Sequence, residues 1–92
     1  MKKFEIIKDK WIKRLNFIKH AEYPNHTDFF DALKISSIIH ITASSHKQSE
    51  TNINYQINLW TEAGNRFIFD YTNSEEVEFK NDLSFLENLI LK

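Results

Sequence analysis

The chain reads as an α+β domain: an antiparallel meander of three or more strands, a carboxy-terminal helix packed on one face of it, and an amino-terminal helix. Three observations predict this. From Asn52 to Trp60 the residues alternate, with Ile53, Tyr55, Ile57 and Leu59 on one side and Asn52, Asn54, Gln56 and Asn58 on the other, the period of a half-buried strand. Glu62-Ala63-Gly64-Asn65 holds the sole glycine of the 92 residues, where a positive φ is easiest and a hairpin should turn. Beyond it, the apolar stripe Val77, Phe79, Leu83, Leu86, Leu89 and Ile90 recurs at helical spacing.

In chain order, Phe4 to His20 favours a helix, because Phe4, Ile7, Trp11, Leu15 and Ile18 fall in one arc with no Gly or Pro between them. Asp9 and Lys13 would then form an i,i+4 pair. Trp11, Leu15 and Phe17 also fit an alternating pattern, so strand is the competing reading. Ala21 to Asp31 reads as a loop containing Pro24 and Asn25, with one helical turn through Phe29, Phe30 and Leu33. Ile35 to Ala43 reads as the first strand, with Ile35, Ile39 and Ile41 on one face and Ile38, His40 and Thr42 on the other. Ser44 to Glu50 is polar throughout and reads as an exposed hairpin loop. Arg66 to Tyr71 is the last strand, with Phe67, Phe69 and Tyr71 facing one way. Asn73 or Ser74 caps the final helix, whose first turn carries Glu75, Glu76 and Glu78, where the helix dipole favours negative charge.

Ninety-two residues suffice for one modest core and a single domain, 1–92. The absence of cysteine removes a disulfide framework, a thiolate nucleophile and cysteine-based zinc sites together, and fits a reducing cytoplasm. No apolar run approaches a membrane span, and the charged start is unlike a signal peptide, so no membrane association is expected. Abundant Lys, Asn and Ile with one Gly and one Pro suggest an AT-rich genome, bacterial or phage. Charge is uneven: residues 1–20 hold seven Lys and Arg against Glu5 and Asp9, whereas residues 62–92 hold seven acids against Arg66, Lys80 and Lys92.

With one glycine the chain has neither a phosphate-binding loop nor a dinucleotide fingerprint, and no cofactor is expected. His20, Glu22, His26, Asp28 and Asp31 are ligand types, but Pro24 between the histidines prevents a three- or four-residue helical spacing, so no metal site is expected. Asn25-His26-Thr27 matches a glycosylation acceptor, a short pattern that matters only in a secreted protein. His40 reads as a strand histidine, and no serine sits in a nucleophile elbow. The expectation is of a protein that is not an enzyme.

Two surfaces remain. If the last helix covers Ile57, Leu59, Phe67 and Phe69, then Trp60, Ile68, Ile38 and His40 lie on the opposite face, too apolar to be left wet, and the amino-terminal helix or a partner should cover them. A partner there would be another protein or a second copy of the chain, with Trp60 as its anchor. The alternative is nucleic acid held by Lys10, Lys13, Arg14 and Phe17, basic residues interleaved with an aromatic.

Lys34-Ile35-Ser36-Ser37-Ile38, Tyr55-Gln56-Ile57-Asn58-Leu59, the Gly64 turn, Phe67-Ile68-Phe69 and Ser74-Glu75-Glu76 together resemble the pleckstrin-homology-like small domains of bacteria. The resemblance covers the last two-thirds of the chain and implies a binding scaffold with no particular ligand. The resulting expectation is a small non-enzymatic protein-binding module of inhibitor, immunity or adaptor type that acts by occluding a partner's surface.

Overall fold

The computed structural model describes residues 3–14 and 31–91. They form two antiparallel three-stranded sheets and one carboxy-terminal helix. The chain divides into two compact units, Met1–Ile35 and Ser36–Lys92.

In the first unit, β1 (Phe4–Ile7), β2 (Trp11–Arg14) and β3 (Asp31–Lys34) pair in chain order. The amino-terminal helix expected from Phe4 is absent over the described residues, and its place is taken by a hairpin. Two physical signals outweigh the helical arc. The β-branched Ile6, Ile7 and Ile12 suit a pleated surface, and Lys8 and Asp9 both adopt the left-handed region, φ +53° and +57°, which ends any right-handed helix there. The Lys10 N–H closes the turn on the Ile7 carbonyl at 3.0 Å. The expected Asp9–Lys13 helical pair is lost with the helix. Pairing of Phe4 with Arg14, Ile6 with Ile12 and Ile12 with Leu33 puts these residues on one face, where Phe4 and Ile12 are buried. Leu33 lies on β3 and not on a helical turn; Leu15 to Phe30, including the expected loop with Pro24, fall outside the described residues.

At the boundary of the two units Ile35–Ser37 forms a single 3-10 turn, so the strand expected from Ile35 starts three residues later, as β4 (Ile38–Lys47) of the second unit. It also runs further than expected: Ser44 to Lys47 pair with Gln56 to Ile53 as strand, and the connection shrinks to 48–52. Register with a strongly alternating neighbour overrides the loop-like composition of Ser44 and Ser45. The connection is closed by the Gln48 N–H on the Asn52 carbonyl at 2.8 Å and by the Asn52 amide on Gln48 Oε1 at 3.1 Å.

The alternating segment is β5 (Ile53–Thr61), and β6 (Arg66–Tyr71) follows after the expected turn. Gly64 has φ +88°. The Thr61 hydroxyl accepts from the Asn65 N–H at 3.1 Å, and the Thr61 N–H donates to the Asn65 carbonyl at 2.9 Å. Ile57, Leu59, Phe67, Phe69 and Tyr71 are buried, as their period requires.

Helix α1 (Glu76–Ile90) packs on β5 and β4. A 3-10 turn leads into it, and the cap of that turn falls one position before the expected Asn73. Thr72 precedes a 3-10 turn, Asn73–Glu75, and Glu75 reaches back to accept from the Thr72 N–H at 2.9 Å and from its hydroxyl at 3.1 Å, the reciprocal contact of a capping box. Phe79 and Leu86 are buried while Val77, expected in the stripe, is exposed. Phe79 is held between two strand aromatics, stacked on Tyr55 at 4.7 Å and edge-on to Tyr71 at 5.5 Å, pairs that add about 0.5–1.5 kcal/mol each beyond their buried area.

Candidate functional site

The face of the β4–β5–β6 sheet opposite Leu59 and Phe69 is assembled in rows by the strand register. His40, Trp60 and Arg66 form one row, Thr42, Asn58 and Ile68 the next, and Ser44, Gln56 and Asp70 the third; His46 and Asn54 pair beyond it. Trp60, Ile68 and His40 therefore share a face as the alternation predicts. Ile38 does not join them. A register shift between Ile38 and His40 lets Ile38 pair with Thr61, and it is buried on the helix side, the face that also carries Ile41 and Leu59. One extra residue in one strand reverses the facing of everything before it, which period counting from a single strand does not reveal.

Trp60 is half-buried, and the Arg66 guanidinium stands 4.8 Å from its ring centroid, a cation–π contact. Among the described residues the indole N–H has no hydrogen-bond partner, and neither has Oδ1 of the buried Asn58. Each orphaned group costs about 1–3 kcal/mol. The Asn58 amide donates to Gln56 Oε1 at 3.1 Å, and the Gln56 amide donates to Asp70 Oδ1 at 2.9 Å. This relay fixes the Gln56 and Asp70 side chains across two strands. Below it opens a pocket of ≈ 250 Å³ lined by Ser44, His46, Asn54, Tyr55, Gln56 and Asp70.

The pocket reaches the sheet's edge. In the order β4-β5-β6, β4 is an outer strand. It is ten residues long, carries no charged residue before Lys47, and is exposed from Ala43 to Lys47. Natural edges are commonly guarded by charges, proline or a bulge; within β4 itself, before Lys47, the irregularity at Ile38/His40 is such a device.

On the helix side, Asp82 is 4% exposed and accepts a hydrogen bond from the Tyr71 hydroxyl at 2.7 Å. Burial first, then the bond to Asp82 and its charge, push the Tyr71 phenol far above its ordinary range. Tyr55 is also raised, by desolvation first and then by Glu76, against an opposing effect of Lys80.

The residues expected to hold nucleic acid are not brought together. Lys10 lies in the β1–β2 turn, Lys13 and Arg14 are successive strand residues and so point to opposite faces of β2, and Phe17 is outside the described residues. Among the described residues no group of three or more His, Asp or Glu is placed to hold a metal ion, and no helix is long and apolar enough to cross a membrane.

Fold and site together define a small α+β chain in which an outer strand, uncharged before Lys47, borders a polar pocket. Compared with family models, curated proteins and solved structures, it matches none. The resemblance to pleckstrin-homology-like domains is neither supported nor refuted by these comparisons.

Proposed function

We propose that this chain is a non-enzymatic protein-binding module, of inhibitor, immunity or adaptor type, that occupies a partner's surface by adding an extended strand of that partner to β4. The observation that carries the reading is the ten-residue β4 edge, uncharged up to Lys47. In strand addition, main-chain hydrogen bonds supply affinity, and pockets for alternate side chains supply specificity. The pocket lined by Ser44, His46, Asn54, Tyr55, Gln56 and Asp70 meets the same strand at Ser44 and His46. Ser44 and His46 line its β4 side and favour a polar side chain on the partner. Trp60, His40 and Ile68, in the neighbouring rows, widen the contact.

Adjacent residues of an antiparallel strand point their N–H groups to opposite sides. Of Ser44→Pro and Ser45→Pro, one breaks pairing with β5 and the other removes an outward donor while leaving the sheet intact. Affinity capture from source lysate, with and without nuclease, is the test. One protein should co-purify stoichiometrically under both conditions and be lost with whichever proline variant remains folded. Retention by that variant refutes strand addition at β4.

A further inference from the structure

We propose that the segment captured by β4 is directional: an antiparallel strand of another protein, acidic at its amino-terminal end and apolar at its carboxy-terminal end. This rests on strand addition at β4 and adds the chemistry of the partner. Two bonds set the phase of the sheet. The Thr61 N–H donates to the Asn65 carbonyl, in the register that also pairs Leu59 with Phe67. The odd-numbered residues of β5 therefore aim their main-chain groups at β6 and the even-numbered ones at β4. The Gln48 N–H on the Asn52 carbonyl continues the same phase between β4 and β5. His40, Thr42, Ser44 and His46 thus bond to β5, whereas the main-chain groups of Ile41, Ala43, Ser45 and Lys47 point away from it. Among the described residues no main-chain bond reaches that outward row.

The side chains of the row change along the strand. Ile41 and Ala43 stand near its start, on the face shared with Leu59 and Ile57, and Ile39, 60% exposed, precedes them. Lys47 stands at its end. It is the only Lys, Arg, Asp or Glu of β4, is exposed, and forms no ion pair among the described residues. On an antiparallel partner the residue opposite Lys47 comes first, and those opposite Ala43 and Ile41 follow. An acid meets Lys47 there, and apolar side chains meet Ile41 and Ala43, whose methyl leaves room for a large one. The residues between face Thr42, Ser44 and His46, and are polar. A second copy of β4 does not fit, because it has no acid to set against Lys47.

Labelled seven-residue peptides titrated into the full chain, followed by fluorescence anisotropy, test the proposal. The probe carries glutamate first, threonine at its even positions, and valine at its third, fifth and seventh. It should bind more tightly than the same residues in reverse order. Lys47→Ala should weaken it by about 1.5- to 5-fold, the range of an exposed ion pair, and Lys47→Glu should make the chain prefer a peptide that begins with lysine. Ser45→Pro, which removes an outward donor, should abolish binding with the circular dichroism unchanged, while Ser44→Pro should unfold the sheet. Binding that is lost with Ser45→Pro but is as tight or tighter for the reversed order, or indifferent to the charge swap, overturns the direction and leaves strand addition standing. No binding of the probe also overturns the direction alone. Full binding by a folded Ser45→Pro variant overturns both. A parent chain already dimeric, and made monomeric by Ser45→Pro, overturns the proposal in favour of a second copy.

Discussion

Removing the Tyr71 hydroxyl tests how the helix is held to the sheet. The bond to Asp82 is 2.7 Å long between side chains that are 2% and 4% exposed, so water replaces neither partner when one is lost. Hydrogen bonds to charged groups contribute about 1.5–3 kcal/mol, and a buried carboxylate deprived of its donor costs more still. Tyr71→Phe should therefore destabilise the Ser36–Lys92 unit by about 3 kcal/mol, and Asp82→Ala by about 2 kcal/mol, the latter softened by the better helix propensity of alanine. The double variant should lose less than the sum, because each single change already removes the bond. Urea denaturation followed by the helical circular dichroism signal gives all four corners of the cycle. The expected coupling is about 2 kcal/mol, and a coupling under about 0.5 kcal/mol would mean that the two side chains act independently and the bond is not what holds them.

The same tyrosine predicts a pH dependence. Its folded pKa lies above the unfolded value of about 10, so its contribution is fully present below that pH and is lost as pH rises further. Above about pH 10 the parent should lose stability relative to Tyr71→Phe by about 1.4 kcal/mol per pH unit; parallel curves would contradict the assignment. Changing Lys8-Asp9 to Asn-Gly should stabilise the β1–β2 hairpin by about 1 kcal/mol, since both residues sit at positive φ, whereas a helix over these residues would be weakened by a similar amount. Hydrogen exchange of the β1 and β2 amides reads the sign. Trp60→Phe removes an orphaned N–H and should leave stability unchanged or raise it by about 1 kcal/mol in thermal or urea unfolding.

The β5–turn–β6–α1 half was legible because its signals are local: strict alternation, one glycine at the turn, and an acid-rich helix start. The β5–β6 register also follows from that turn, and with it the Gln56–Asp70 contact, which needed only a count outward from Gly64. Asp82 resembled a surface acid, although its place three residues after Phe79 and four before Leu86 put it inside the buried stripe. The amino-terminal hairpin was not legible, because Phe4, Ile7 and Trp11 fall at helical spacing although the hairpin puts Phe4 on one face and Ile7 and Trp11 on the other, and the deciding feature is a turn at Lys8-Asp9 with no glycine to mark its two positive φ angles. Extension of β4 through Ser44 and Ser45, and the shift that buries Ile38, are properties of pairing with β5. Neither is written in β4 itself.

The β4 edge carries the functional account, and amide hydrogen exchange along Ile38–Lys47 tests it most directly, with the chain free and bound to the tightest peptide selected from a displayed random library. The account predicts that alternate β4 amides, the outward ones, exchange readily in the free chain and become protected in the complex. It also predicts that selected peptides are extended and place a polar side chain beside Ser44 and His46, the β4 residues of the pocket. Tight peptides that protect no β4 amide, or outward amides already protected in the free chain, would contradict it.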